Sequence, residues 1–247
     1  MQDFELESPP MGVDHSQKAK ATPIGSDYNS KDCINLLPST AVSRIIRKTG
    51  SPLKGNRMTQ KPGLLFILSA PAGTGKTTLS QMLVREFPSC VASVSYTTRP
   101  KRPREIDGVH YHFVSEEDFL HRLAAGEFLE HASLYGYYYG TSRFWVEKQL
   151  VRGAHVLLVI DTQGAAQIRK KIPNISIFIS PPSLEALEQR LIKRNTESAV
   201  DLQKRLEWAK EEMLHCNEYD YSIINEDLAA AYESLRSILI AEEHRLR

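Results

Sequence analysis

The chain has 247 residues, 41% of them hydrophobic and 25% charged, and carries a formal net charge of +1. That length suits one compact domain with insertions, or two small ones. The near-zero charge excludes a global attraction for nucleic acid or acidic membranes, so any anion binding is local.

Cys33, Cys90 and Cys216 are scattered and have no CxxC spacing, which argues against a disulfide framework or structural zinc and for a reducing cytoplasm. No apolar run approaches the length of a membrane span, and the acidic opening MQDFELES lacks the basic start and apolar stretch of a secretory signal. The expectation is a soluble chain, not exported by that route. Nothing in the sequence fixes an oligomeric state.

Residues 1–60 scatter Pro, Ser, Gly, Asn and Lys among short apolar patches, too little apolar surface to offset ordering entropy, and read as a disordered extension. The patch Ile34 to Lys48 reads as a short apolar cluster within that arm, with an amphipathic helix or docking motif as the alternative. Met58 also offers a second translation start just before the first strong strand.

From Gly63 the texture changes. LLFILS (Leu64 to Ser69) is a continuous apolar run, as expected of a parallel strand covered on both faces. It leads into APAGTGKTT (Ala70 to Thr78) and a helix-prone stretch. Strand, glycine-containing turn and helix in that order form the Walker A context. Ala70, Pro71, Ala72, Gly73, Thr74, Gly75, Lys76, Thr77 and Thr78 make up the loop. Gly73 and Gly75 let backbone N–H groups approach phosphate oxygens, Lys76 reaches the β- and γ-phosphates of ATP, and Thr77 offers its hydroxyl to Mg²⁺. Ala70 stands where the motif more often has Gly, at a position that needs only a small residue.

SVSYTTRPKRPREIDGVHYHFV then sets Arg99 and Arg102 near Tyr111, guanidinium and phenol donors suited to a second phosphate. FLEHASLYGYYYGT is rich in Tyr, Phe and Thr and reads, with the preceding segments, as a small, mainly β insertion. The basic run Lys101 to Arg104 is too short, on a chain of near-zero net charge, to read as an RNA site. For Tyr135, Tyr137 and Tyr138 ordinary aromatic packing in a β-ribbon is the reading.

HVLLVID (His155 to Asp161), ISIFIS (Ile175 to Ser180) and YSIIN (Tyr221 to Asn225) are further apolar runs, each followed by a helix-prone stretch. Together with the first they predict an α/β fold of the P-loop NTPase type, a mostly parallel sheet flanked by helices. Asp161 ends its strand where a Walker B carboxylate holds Mg²⁺. The arginines of RLIKRNTES and LQKRL read on their own as a solvated helical face.

From about Leu64 onward the chain resembles the guanylate kinases, through SxTTRxxRxxExxGxxYxF, GEFxE, YYGTS and IDxQG in order. The resemblance implies that Arg99, Arg102, Tyr111 and Tyr139 bind the GMP phosphate while Ser95, Glu130 and Thr141 read the base. An ionised carboxylate at Glu130 accepts both guanine N1–H and the 2-amino group, a pair adenine cannot offer. Glu105 is a frequent family acid, equally readable as an ion pair with a nearby Arg. Val159 replaces a common family acid, which implies altered affinity rather than a changed base. Arg190, Arg194 and Arg205 match the lid that supplies charge to the transferring group, with Asn195 in place of a usual Gly. Asn225 matches a segment lying against the ATP adenine, with capping of the next helix as the alternative.

The implied organisation is a kinase domain over residues 61–247, with core 61–95, 144–189 and 206–247, a GMP-binding region 96–143 and a helical lid 190–205. ATP and GMP are its expected partners, with Mg²⁺ as cofactor and neither nucleic acid nor membrane. The alternatives are a non-catalytic protein-binding module of the same fold and a kinase for another small phosphorylated acceptor.

Overall fold

Residues 61–193 and 199–246 are described by a computed structural model. The N-terminal extension with its Ile34 to Lys48 patch and Met58, and Arg194 and Asn195 of the lid, lie outside the described residues.

In the first apolar run, strand β1 (Leu65–Ser69) has all five residues buried, because its two faces pack against different helices. Phe66 and Leu68 join a cluster with Leu79 and Leu83 of α1 (Lys76–Glu86) and with Leu235 and Leu239 far along the chain. Leu65 and Ile67 join a second cluster with Val146, Leu150, Ala165 and Ile168. This is the covered parallel strand that continuous hydrophobicity requires. Alongside it lie β2 (Cys90–Ala92), β7 (His155–Val159), β8 (Ile175–Ser180) and β9 (Tyr221–Ile224), in the order β2-β7-β1-β8-β9 with every pairing parallel. Strand β2 has no counterpart in the sequence reading, since three residues are too few to show a period.

The second sheet takes its strands from within residues 96–143: β3 (Tyr96–Thr97), β4 (His112–Phe113), β5 (Phe128–Leu134) and β6 (Tyr137–Ser142), ordered β4-β3-β6-β5. Helix α2 (Glu116–Ala124), capped by the Ser115 side chain and opened by three acids, covers one face of this sheet. Its Phe119 is fully buried and stacks on Phe128 (4.5 Å) and Tyr138 (5.4 Å). Tyr138 thus packs as an ordinary aromatic. The β5–β6 hairpin turns on Tyr135 (φ 54°) and Gly136 (φ 80°). Two left-handed residues suit a tight hairpin, but a tyrosine in that conformation costs about 1 to 2 kcal/mol.

Helices α3 (Arg143–Val151) and α4 (Thr162–Arg169) cover one face of the parallel sheet, and α7 (Leu228–His244) joins α1 on the other. Helices α5 (Leu184–Lys193) and α6 (Ala199–Leu214) pack through Leu187, Leu191 and Ala209. Val159, in place of the family acid, packs against the first cluster.

Phe119→Ala should cost about 3 to 5 kcal/mol, since it opens a cavity between α2 and the second sheet. Chemical denaturation checks this, and a loss under 1 kcal/mol would show that the sheet holds its shape without that stack.

Candidate active site

Between β1 and α1 the loop wraps around its own carbonyls. Thr74 Oγ1 donates to Pro71 O (2.8 Å), and the Lys76 ammonium turns back to donate to Ala70 O. Gly75 (φ 96°) is the N-cap of α1, with no side-chain cap and no acid in the first turn. The leading N–H groups of that helix are thereby left for an anion. Gly73 (φ 94°) also has a close neighbour: a Cβ there would lie 2.9 Å from Leu191 Cδ2, so the loop rests on α5. Thr77 and Thr78 are exposed at the start of α1.

Asn225 supports this loop from below. It is buried, its Nδ2 donates to Thr74 O (2.7 Å), and a Cβ on Gly75 would lie 2.6 Å from that nitrogen. The helix that follows is capped by Asp227, which accepts from Ala230 N (2.9 Å). The capping alternative for Asn225 is therefore corrected, and its amide donor is committed to the loop backbone.

The second sheet carries Glu130, Tyr139 and Thr141. Glu130 pairs with Thr141 and Ala132 with Tyr139 across β5 and β6, so by strand alternation Glu130, Thr141 and Tyr139 share one face. At one end of it Tyr111 and Tyr139 meet edge to face (6.0 Å), and the Arg99 guanidinium lies 5.5 Å from the Tyr111 ring. Glu105 holds Arg99 at 2.6 Å and accepts from the Arg102 backbone N–H (2.8 Å). That ion pair is the role the sequence alternative gave Glu105, here half-buried and pre-orienting the guanidinium. Ser95 supplies its carbonyl to His112 N (2.9 Å) beside β3.

At the other end Glu130 is 3% exposed and accepts from Thr141 Oγ1 (2.5 Å). Burial, with the Asp161 charge adding to it, pushes its carboxyl up to about 7. Helix α4 comes so close that a Cβ on Gly164 would lie 3.0 Å from Glu130 Cδ and overlap Oε2. One turn on, Gln167 Nε2 donates to His131 O (2.5 Å) and its Oε1 accepts from His131 N (3.3 Å), fastening α4 to β5.

Asp161 caps α4, its Oδ1 accepting from Gln163 N (2.7 Å) and Gly164 N (3.1 Å). Both cap bonds use Oδ1. The sequence reading missed Glu212 of α6. Its carboxylate faces Lys76 and Asp161 and is pushed up to about 7 by burial. Burial likewise lowers the Lys76 ammonium, against the pull of Glu212 and Asp161. No local signal marks it, because the Lys76 it faces lies far away along the chain.

Of the arginines expected in a lid, Arg190 donates to Glu226 O (3.3 Å) and the Arg205 guanidinium lies 5.1 Å from the Tyr135 ring. Arg194 lies outside the described residues. The structure thus gathers Asp161 and Glu212 around Lys76, sets Glu130 beside Asp161, and brings Arg99, Tyr111 and Tyr139 together on the second sheet. Arg190 and Arg205 instead contact the β9–α7 loop and the hairpin tip.

A phosphate loop after the central strand of a parallel sheet, facing an inserted sheet with its own cationic and carboxylate groups, defines a P-loop kinase of a small acceptor. The family model described as guanylate kinase matches residues 63–242. A guanylate kinase of Protochlamydia amoebophila is 56% identical over 186 residues, 75% of this chain and 94% of the relative. One of Hahella chejuensis is 51% identical, covering 74% and 89%. The crystal structure of guanylate kinase from Anaplasma phagocytophilum superposes with TM-score 0.62 at 36% identity, covering 75% of this chain and 88% of that one. The chain belongs to the guanylate kinase family.

The raised Glu130 carboxyl has a sign for stability. The fold favours its protonated form, so the contribution is fully present below the ordinary glutamate range and is lost as pH rises through about 7. Glu130→Gln cannot ionise. Its Tm relative to the parent should therefore shift in the variant's favour between about pH 4.5 and 7. A constant offset across that window would contradict the buried, destabilised carboxylate.

Proposed function

We propose that this chain transfers the γ-phosphoryl group of ATP to GMP, and to dGMP, giving ADP and GDP for guanine nucleotide synthesis and recycling in the cytoplasm. The observation that carries the reading is the buried carboxylate of Glu130 fixed by Thr141, an acceptor matched to the paired N1–H and 2-amino donors of guanine. A sugar phosphate has no such edge. Among the described residues, no helix is long and apolar enough to cross a membrane.

The division of labour follows the two sheets. Residues 61–95, 144–189 and 206–247 form the ATP-binding core, 96–143 the GMP-binding region and 190–205 the lid. Arg99, held by Glu105, acts with Arg102, Tyr111 and Tyr139 on the GMP phosphate, while Ser95, Glu130 and Thr141 read the base. The backbone of Ala70 to Thr78 cradles the ATP phosphates and Lys76 exchanges its contact with Ala70 O for the β- and γ-oxygens. Asn225 keeps that loop in shape.

Thr77 and Asp161 fit Mg²⁺, which takes one or two oxygen ligands from protein and the rest from phosphate and water. When bound, that ion supplies neutralisation of phosphate charge. Arg190, Arg194 and Arg205 add cationic stabilisation as charge spreads over the transferring group, and no general base is needed because the GMP phosphate is itself a nucleophile. The alternative of a protein-binding module is disfavoured by the intact Gly73, Gly75, Lys76 and Thr77.

Glu130→Gln tests base recognition, because the amide offers one acceptor and one donor where two acceptors are needed. GMP efficiency should fall by about 2 to 4 kcal/mol, roughly 30-fold to 1000-fold in kcat/KM. IMP lacks the 2-amino group and should lose less, narrowing the preference. Equal losses for GMP and IMP in a coupled ADP-release assay would move selectivity away from Glu130.

A further inference from the structure

The hairpin tip and the helix after the lid meet at one place. Tyr135 and Trp208 rings lie 5.7 Å apart at 48°, and the Arg205 guanidinium sits 5.1 Å from the centre of the same Tyr135 ring. Arg205 and Trp208 are three residues apart on α6, so both project from one face of that helix.

Tyr135 is also the only described residue other than glycine with a positive φ, at 54°. Its turn is the kind that favours Asn before Gly, and an aromatic ring gains nothing locally from a left-handed backbone. A strained residue held by contacts outside its own hairpin points to a role for those contacts.

We propose that Tyr135 is a positioning residue for phosphoryl transfer: by packing on Trp208 it latches the GMP-binding sheet to α6 and holds Arg205 in place for the reaction. The proposal rests on the ATP-to-GMP reading above. Tyr135 lies outside the group of Arg99, Tyr111, Tyr139, Glu130 and Thr141, so it acts through Arg205 and not through the acceptor. Because the contact joins two elements that are separate in sequence, it helps define the arrangement in which acceptor sheet and lid helix are together.

The test compares Tyr135→Asn, Tyr135→Phe, Trp208→Ala and the parent for Tm and for steady-state kinetics with ATP and GMP. Asparagine accepts the left-handed backbone but has no ring, so this variant should melt at or above the parent temperature. Its kcat should nevertheless fall roughly 5-fold to 30-fold with little change in the KM for GMP. Tyr135→Phe keeps the ring and should restore parental kcat. Trp208→Ala should lower kcat to a similar degree, and the Asn and Ala changes combined should cost little more than either alone. Parental kcat in Tyr135→Asn, or a loss that appears only in the KM for GMP, would overturn the latch. A parent enzyme that does not phosphorylate GMP would instead overturn the underlying reading.

Discussion

The N-terminus of α4 draws three carboxylates from three separate elements. Asp161, just after β7, caps it, Glu212 of α6 faces Asp161 and Lys76, and Glu130 of β5 lies against Gly164. Three negative charges so close would repel one another in a low-dielectric interior. The helix N-terminus and the Lys76 ammonium are the positive counterweights, and they are incomplete, since Glu130 and Glu212 are both pushed up to about 7. The parallel sheet, the inserted sheet and α6 meet at this junction, which lies beside the phosphate loop.

Burial disfavours the ionised forms of Glu130 and Glu212 and the ammonium of Lys76 alike, so the unliganded protein holds all three against a desolvation cost. The Gln167 clip to His131 keeps α4 and β5 together, and the Arg99–Glu105 pair holds the guanidinium over Tyr111.

The continuous apolar runs made the parallel sheet legible, because a strand buried on both faces has no room for polar alternation, as β1 shows residue by residue. The phosphate loop was legible because glycine, lysine and threonine are needed there in a fixed order. Strand β2 and helix α2 were not: the first has three residues, and the second is half-exposed and anchored by Phe119 alone among its buried residues. Glu212 and the loop-supporting role of Asn225 escaped for a different reason. Both act across more than 130 positions of chain, on Lys76 and Thr74, and no local spacing encodes such a contact. Tyr135 looked like one tyrosine among several because backbone strain leaves no mark in composition.

The close approach of α4 to Glu130 is tested most directly by Gly164→Ala. Alanine in a helix is ordinarily more favourable than glycine by about 1 kcal/mol, so propensity alone predicts a variant at least as stable and as active as the parent. Here the new Cβ meets the carboxylate of Glu130, which is buried and cannot swing into water. The account predicts a folded protein that binds ATP normally while kcat/KM for GMP falls by about tenfold or more, equivalent to about 1.4 kcal/mol or more of lost recognition. Unchanged GMP kinetics in that variant would contradict it.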